Sequence, residues 1–366
     1  MRLPVFLGVS LLFCSHVALS EWIPATNSGV AAPSALLSEP KHSAETKSQV
    51  GCGLPQIVGR TVASVLFVPT ESTEGEPLRH VLWSLGSHLG RSISIKIAGR
   101  ILDTLPGSAN GLWFASPQAV GVRAYSLPGE VLRAEGILHP RGTPVAFSWA
   151  KDGSGASWLF LETLQEQVYF IEAFRKERSK WRAKGAVAGN LLTPRGVPGE
   201  RSRVICGQWV FSAANSPRRI PVIGQPGLAE TYPGPDSSLI QLSRDDLSVR
   251  TSDDGGAHWV LAPLPWPAGA QFTSPPEAID VSGDAPTIRW VAGGRLVITR
   301  FSDGRWSRLL ETAIENVHGL SGQAVAIGNR LVLFADCYRI APGEPDSIRV
   351  GIVASGSVDV ITVEVR

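Results

Sequence analysis

The sequence predicts an all-β fold assembled from short, repeated antiparallel sheets. Short apolar or alternating runs recur at residues 57–68, 80–85, 92–97, 145–149, 239–242, 295–299 and 330–334, each bounded by Gly, Pro, Asn, Asp or Ser. Glycine (38) and proline (27) make about 18% of the 366 residues, against roughly 12% in average proteins, and this supplies many turns. Hydrophobic residues reach 43% and charged residues only 18%, so the chain can bury a large core.

The first 55 residues are predicted to lie outside this fold. Residues 1–20 have the features of a secretory signal peptide: a positive Arg2, an apolar run at 5–13, and small side chains at Ala18 and Ser20. Residues 21–55 are rich in Ala, Ser, Pro, Thr and Lys without periodicity, which predicts a flexible, disordered arm. We therefore expect a folded domain over 56–366 in a secreted or periplasmic protein. No later segment reaches the roughly 20 apolar residues of a membrane helix, so no membrane insertion is expected.

The sequence leaves the secondary structure of residues 156–184 open. This stretch contains no Gly or Pro, and Leu161, Leu164, Val168 and Ile171 recur at helical spacing. Its aromatic and β-branched clusters favour strands instead, and residues 165–167 offer a polar turn between two of them. A strand hairpin and a helix are both compatible with the pattern.

A strand–turn–strand unit recurs along the chain, and its spacing predicts how the strands are grouped. The units lie at residues 97–101, 127–131, 175–181, 252–259, 302–306 and 354–358. Trp259 follows Trp181 by 78 positions, Trp306 follows Trp259 by 47, and Val358 follows Trp306 by 52. A period in the 40s is typical of a β-propeller blade of four antiparallel strands. The domain has room for six or seven such blades.

One unit carries a recognisable motif. The sequence SDDGGAHW at residues 252–259 matches the pattern S-x-D-x-G-x-x-W, and with it the chain resembles the sialidase-like Asp-box (bacterial neuraminidase repeat) β-propellers. Asp254 can accept backbone N–H groups across the turn, and Gly256 allows a positive φ. Ser252 is expected to help cap the loop, and Trp259 to bury its ring between neighbouring sheets.

Two further units resemble copies of this motif. Residues 302–306 form a shortened copy with Ser302, Asp303, Gly304 and Trp306, and residues 150–158 form an expanded one with an extra residue between Asp and Gly. In Asp-box propellers these boxes are structural turns, which identify the fold without identifying a chemistry.

The resemblance also implies where a sialidase site would lie. Sialidases hold the substrate carboxylate with three arginines, and they use an Asp as acid/base and a Tyr–Glu pair as nucleophile. The candidates here are Arg219, in an Arg-Ile-Pro sequence 33 positions before Ser252, Asp246 between the two, and Tyr338 and Arg349 downstream. Only 147 residues (366 − 219) follow Arg219, whereas a sialidase begins its propeller at this sequence and needs most of its length afterwards.

We therefore expect these four residues to be surface residues rather than a working catalytic site. The predicted function is a non-catalytic propeller that binds a glycan or a protein through loops at the mouth of its channel. An exo-sialidase and a protein-assembly scaffold are the alternatives, and the sequence does not indicate an oligomeric state.

Cysteine content and charge bear on the remaining possibilities for disulfide, metal and nucleic-acid binding. Without Cys14 of the signal peptide, the chain keeps Cys52, Cys206 and Cys337, and one disulfide with a spare thiol is the simplest arrangement. A Cys52–Cys337 bridge would fasten the first blade to the last, although Cys206 could pair with either. No metal or cofactor motif occurs, and a net charge of +2 does not favour nucleic-acid binding. The basic run at 175–184 fits a solvated hairpin or a site for phosphate or sulfated glycan.

Overall fold

A computed structural model of the protein describes residues 51–365, apart from gaps at 53–55, 59–60, 68–77, 85–88, 96, 98–100, 106, 108–110, 129–130, 222–228, 235–237, 280–284, 318–319, 328–329, 340–345 and 355–356. The predicted signal peptide and most of the predicted arm lie outside the described residues. Within them there are 29 β-strands and a single 3-10 helix (Ile314–Val317), so the prediction of an all-β chain is confirmed. No helix in this part of the chain is long and apolar enough to cross a bilayer.

The strands follow one another in short succession. The first thirteen are β1 (Gly51–Cys52), β2 (Gln56–Val58), β3 (Thr61–Phe67), β4 (Leu78–Ser84), β5 (Leu89–Ile95), β6 (Asp103–Thr104), β7 (Leu112–Gln118), β8 (Gly121–Leu127), β9 (Arg133–Leu138), β10 (Thr143–Lys151), β11 (Ser157–Gln165), β12 (Val168–Glu177) and β13 (Lys180–Ala188). β1 lies within the predicted arm.

The second half of the chain continues in the same way. Its strands are β14 (Arg195–Gly196), β15 (Arg203–Cys206), β16 (Trp209–Ser212), β17 (Arg218–Arg219), β18 (Ala229–Pro233), β19 (Leu239–Ser243), β20 (Val249–Ser252), β21 (Val260–Leu261), β22 (Phe272–Ala278), β23 (Thr287–Ala292), β24 (Arg295–Ser302), β25 (Arg305–Ala313), β26 (Leu320–Ile327), β27 (Arg330–Arg339), β28 (Asp346–Ala354) and β29 (Ser357–Val365).

Hydrogen bonds join the described strands into six sheets in which consecutive strands are antiparallel. β14–β17, β18–β21 and β22–β25 are four-stranded sheets in chain order, and β7–β9 form a three-stranded sheet. β10–β13 form a further sheet, to which β6 is added parallel to β10. The largest sheet contains β1–β5 and β26–β29, which meet where Leu89 pairs with Glu364 in parallel. The first and last groups of the chain are thereby joined.

Neighbouring sheets pack face to face in chain order. β2 lies beside β7, β10 beside β7 and β14, and β14 beside β18. The buried side chains follow the same order: Phe160 of β11 packs against Phe211 of β16 with ring centroids 5.3 Å apart, and Tyr232 of β18 shares a cluster with Phe301 of β24. This radial succession of antiparallel sheets is the architecture of a β-propeller.

Three tryptophans link the last strand of one sheet to the sheet before it. In each case the indole N–H donates to a backbone carbonyl: Trp181 to Glu135 (2.9 Å), Trp259 to Pro221 (3.0 Å) and Trp306 to Pro263 (2.6 Å). Trp181 and Trp306 lie at the start of β13 and β25, and Trp259 lies just before β21. The acceptors lie in β9 or just after β17 and β21. We call these bonds the Trp–carbonyl links. They occupy equivalent positions in their sheets, which is why these tryptophans recur in the sequence.

Residues 156–184 form strand hairpins rather than a helix. Glu166 and Gln167 connect β11 to β12 with φ angles of 46° and 69°, and positive φ at both positions is the type I′ turn of tight hairpins. β11 is buried on both faces because a sheet lies on either side of it. A strand buried on both faces loses the alternation of apolar and polar residues, and this loss explains the apparent helical spacing.

Cys206 is a free thiol inside the protein. It is completely buried in β15, and its S–H donates to the Leu192 carbonyl at 3.3 Å. Burial raises the pKa of Cys206 to about 12, so the reactive thiolate is absent near neutral pH. Cys52 and Cys337 lie on β1 and β27, which have Cα atoms within 8 Å of each other, and their side chains lie outside the described residues. Their disulfide stays a prediction.

Peptide mapping without reduction tests this pairing. We expect a linked Cys52–Cys337 peptide, and a Cys206 that reacts with iodoacetamide only after denaturation because burial protects it. A map in which all three cysteines are free would contradict the predicted bridge.

Candidate functional site

The antiparallel strands place the connections of the protein at two ends of each sheet. The segments that join one sheet to the next lie at the same end as the turns between second and third strands. We call this the linker end; it includes residues 139–142, 166–167, 189–194, 207–208 and 244–248. The opposite end, the hairpin end, carries the turns at 152–156, 178–179, 253–259 and 303–304.

An open cleft lies at the linker end between the β7–β9 sheet and the β10–β13 sheet. Its volume is about 670 Å³, within the range of small-ligand sites. The residues that line it include Pro117, Gln118, His139, Pro140, Arg141, Thr143, Pro144, Gln165 and Glu166. His139, Arg141 and Glu166 are exposed, so the cleft offers cationic, anionic and amide groups to a polar ligand.

Buried carboxylates fix the loops at this end. Both carboxylate oxygens of Glu172, on β12, accept the backbone N–H of Arg141 at 2.9 and 3.1 Å, and Glu172 also accepts the Thr163 hydroxyl at 2.8 Å. The next linker is held in the same way, because Glu162 accepts the backbone N–H of Leu191 at 2.9 Å. Burial raises the pKa of Glu162 even though this hydrogen bond opposes the shift. The cleft is therefore shaped before any ligand arrives.

A second group of charged residues lies near the linker end, between the β14–β17 and β18–β21 sheets. Glu230 accepts the Tyr232 hydroxyl at 2.7 Å and pairs with Arg195 at 3.3 Å and with Arg244 at 2.5 Å. The Arg195 guanidinium lies 3.8 Å from the centre of the Tyr232 ring. Burial raises the pKa of Glu230, but Arg244, Arg195 and the Tyr232 hydroxyl outweigh it and lower the pKa to about 2. We call these four residues the Glu230 cluster.

The Glu230 cluster contains the residue types of a sialidase site but not its accessibility. Arg195 is 3% exposed, Glu230 1% and Tyr232 3%, so no sugar can reach the Tyr–Glu pair. Its geometry ties two neighbouring sheets together. No motif in the sequence indicates this cluster; the only local signal is the spacing of Glu230 and Tyr232, two apart on a buried strand. No group of three or more metal-binding side chains occurs among the described residues.

The four sialidase candidates lie on three different sheets. Arg219 is exposed on β17, the last strand of its sheet, where its guanidinium donates to the Gln208 side chain at 3.3 Å. Asp246, in the turn after β19, accepts the Ser248 backbone N–H at 3.0 Å. Tyr338 and Arg349 lie on β27 and β28, and their side chains lie outside the described residues. The described contacts do not bring Arg219 and Asp246 together.

The turn at residues 252–259 is organised around one carboxylate. Asp254 accepts the backbone N–H groups of Ala257 and His258, both at 2.9 Å, and the Ser252 hydroxyl at 2.8 Å. The His258 backbone and ring, followed by Ser252, lower the pKa of Asp254 well below its usual value. Gly256 has a φ of 95°, and a Cβ there would lie 2.8 Å from Ile220, so only glycine fits.

The Arg-Ile-Pro sequence supports this turn from the preceding sheet. Ile220 is completely buried below Gly256, and the Pro221 carbonyl accepts the Trp259 indole N–H. Arg219 is exposed, and its guanidinium contacts Gln208 rather than this turn. Two of the three residues that resemble a sialidase motif are therefore engaged in packing one sheet on another.

The two related turns differ in their use of the aspartate. Asp303 and Gly304 form a two-residue turn between β24 and β25 with φ angles of 51° and 73°. Asp152, by contrast, is buried: it accepts the backbone N–H of Ser154 at 2.9 Å, the Trp158 indole at 2.9 Å and Arg175 at 3.0 Å. Burial raises the pKa of Asp152, but these hydrogen bonds outweigh it and leave the pKa below its usual value.

Comparison with known proteins shows the fold and not the activity. No protein-family model and no curated protein matches the chain. It is similar to a structure from Lactobacillus plantarum (TM-score 0.51, 11% identity, 87% of this chain and 97% of that one). It is also similar to the β-propeller domain of the Trilobed protease from Pyrococcus furiosus (TM-score 0.47, 10% identity, 85% of this chain and 97% of that one). A third similar structure is oligogalacturonate lyase from Vibrio parahaemolyticus (TM-score 0.45, 8% identity, 80% of this chain and 91% of that one). At these identities the likeness concerns the fold alone.

The two aspartate turns should respond differently to substitution. Asp152→Ala should lower the free energy of unfolding by about 3 kcal/mol, because it leaves the buried Trp158 N–H without an acceptor and removes the ion pair with Arg175. Asp254→Ala should have a smaller effect, because water can reach the exposed N–H groups of Ala257 and His258. Urea unfolding measures both variants. Equal losses would contradict the assignment of Asp152 as the buried centre of its turn.

The Glu230 cluster should make stability depend on acid pH. Because the folded-state pKa of Glu230 is about 2 and its ordinary value is 4.5, its contribution is complete above pH 4.5 and is lost as pH falls from 4.5 towards 2. Glu230→Gln should remove a contribution on the order of 3 kcal/mol at neutral pH, and its difference from wild type should shrink across that window. Urea unfolding at several pH values measures this difference in the free energy of unfolding, and Glu315→Gln, at an exposed position, is the control. A difference that stays constant with pH would exclude this role.

Proposed function

We propose that the protein is a secreted or periplasmic, seven-bladed β-propeller of the sialidase-like Asp-box type, which binds a glycan or a protein without chemically altering it. The observation that carries this proposal is the cleft at the linker end. It is open, its volume is about 670 Å³, and its polar lining is held in place by the buried Glu172. A preformed polar cleft of this size suits binding.

A count of seven blades accounts for every described strand. The blades would be β1–β5, β6–β9, β10–β13, β14–β17, β18–β21, β22–β25 and β26–β29. β6 pairs with β10 of the third blade, and it is assigned to the second blade because Leu102, just before it, donates its backbone N–H to Ala115 of β7 at 2.9 Å. The pairing of β5 with β29 supports a closed ring, and a Cys52–Cys337 bridge would fasten the same closure.

The Asp-box assignment rests on the turn at residues 252–259. Ser252 hydrogen-bonds both Asp254 and the backbone N–H of Gly256, each at 2.8 Å, while Trp259 reaches the preceding sheet. These contacts match the roles expected of Ser252 and Asp254 in the motif, and the Trp259 ring is half-buried. The turn lies at the hairpin end, away from the proposed binding cleft.

The absence of turnover in this proposal has a geometric basis. Arg219 lies on a last strand and is bonded to Gln208, and the Tyr232–Glu230 pair is closed to solvent. A sialidase needs an arginine cluster and a Tyr–Glu pair that both face the substrate.

A binding experiment with a cleft variant tests the proposal. The full chain is applied to a glycan array and cross-linked to co-secreted proteins, and the retained ligand is titrated against the wild type and His139→Ala/Arg141→Ala. We expect at least a tenfold loss of affinity in the cleft variant, because two of its polar contacts are removed. Arg123→Ala/Arg201→Ala, which removes exposed charge outside the cleft, is the matched control and should bind normally.

Two outcomes would overturn the proposal. One is a ligand that binds the cleft variant as tightly as the wild type. The other is hydrolysis of a fluorogenic sialoside that Arg219→Ala or Asp246→Ala abolishes, since this would identify an enzyme.

A further inference from the structure

The β12–β13 hairpin carries more positive charge than its surroundings neutralise. Residues 175–184 include six basic residues and one acidic residue. Three of the basic side chains have partners: Arg175 pairs with Asp152 (3.0 Å), Lys184 with Glu177 (2.5 Å) and Lys176 with Glu135. The other three, Arg178, Lys180 and Arg182, are exposed and make no ion pair with any described residue.

These three cations form a row at the hairpin end. Lys180 and Arg182 are two positions apart on β13, which places them on one face of the strand about 7 Å apart. Arg178, with a φ of 56°, occupies the turn and extends the row to the tip of the hairpin. β13 is the edge strand of its sheet, so the row borders solvent.

The arrangement has an energetic cost that folding alone does not explain. Arg182 is directly opposite Arg175 in the strand register, and like charges at opposite positions destabilise a sheet. Charged residues on edge strands can prevent unwanted strand pairing. The equivalent last strand β21, however, has exposed apolar side chains at Val260 (68%) and Leu261 (63%), so this protein does not require charge at such edges.

We propose that this hairpin binds a linear anionic polysaccharide, with sulfate or carboxylate groups lying along the row of Arg178, Lys180 and Arg182. A row of cations on a strand edge suits a ligand whose charges repeat along one line. The side chains do not favour single-stranded nucleic acid, because the Trp181 indole is already bonded to Glu135 and packs edge-on against Trp113. They do not favour a membrane either, because the described tip has no exposed large apolar side chain.

This surface lies at the opposite end of the sheets from the cleft, so it can be tested independently. The binding of the full chain to fluorescent heparin and polygalacturonate is measured at low and high salt. The test variant is Arg178→Asn/Lys180→Thr/Arg182→Thr, in which Asn tolerates the positive φ. The matched control is Arg123→Thr/Arg218→Thr/Arg305→Thr, which removes three exposed cations from three other sheets and changes the net charge equally.

We expect the hairpin variant to bind at least one of the two polysaccharides about 100-fold more weakly than wild type, because each of the three cations contributes a factor of roughly five to the affinity. The affinity of the control variant should stay within about twofold of wild type. In the wild type, polysaccharide should also protect the Lys180 amine from acylation and leave exposed Lys151 reactive, a readout that needs no variant to fold. Equal losses in the two variants, no binding to either polysaccharide, or tighter binding to duplex DNA or phosphatidylserine vesicles would overturn the proposal.

Discussion

The hydrogen bond from a tryptophan indole to the preceding sheet is the interaction on which the rest of this structure depends. An antiparallel sheet of four strands cannot bury either of its faces alone, so each sheet must be held against its neighbours. Packing between the faces is extensive, as the clusters around Phe160 and Tyr232 show. On the last strands, Trp181, Trp259 and Trp306 each pack against a buried cluster and add a directed bond to the preceding sheet.

Glycines allow these rings to approach. A Cβ on Gly136 would lie 3.1 Å from the Trp181 ring, and Gly136 also has a φ of 123°, which other residues adopt with strain. Gly256 likewise leaves room for the Trp259 ring, because a Cβ there would lie 3.3 Å from it. Two of the three links therefore consist of a tryptophan, a carbonyl and a glycine, and only the tryptophan has an obvious signal in the sequence.

Fixed sheets in turn fix the loops at the linker end. Glu172 and Glu162 project from strands of one sheet and hold the backbones of two successive linkers. Such carboxylates can hold a loop only if the strands that carry them do not move relative to it. The same rigidity makes the cleft a preformed site, which lowers the entropy lost when a ligand binds.

Much of the fold could be predicted from the sequence, and the reason is local chemistry. The turn at residues 252–259 needs Ser, Asp, Gly and Trp at fixed positions, so eight consecutive residues determine its geometry. The Glu230 cluster could not be found in this way, because Arg195 and Glu230 are 35 positions apart and meet only when two sheets pack. The role of the Arg-Ile-Pro sequence could not be predicted for a related reason: Ile220 packs below Gly256 and Pro221 accepts the Trp259 indole N–H, contacts that no neighbouring residue reveals.

Hydrogen exchange on single Trp→Phe variants tests most directly whether the Trp–carbonyl links hold the sheets together, because phenylalanine keeps a ring and removes the donor. Trp181→Phe should accelerate exchange in both β9 and β13, on the two sides of the link, and leave β22–β25 unchanged. Trp158→Phe is the matched control, because its indole bonds to Asp152 within its own sheet and its ring packs toward the β14–β17 sheet, so it should leave β9 unchanged. If Trp181→Phe accelerates exchange only in β13, or in neither strand, the link does not hold the two sheets together.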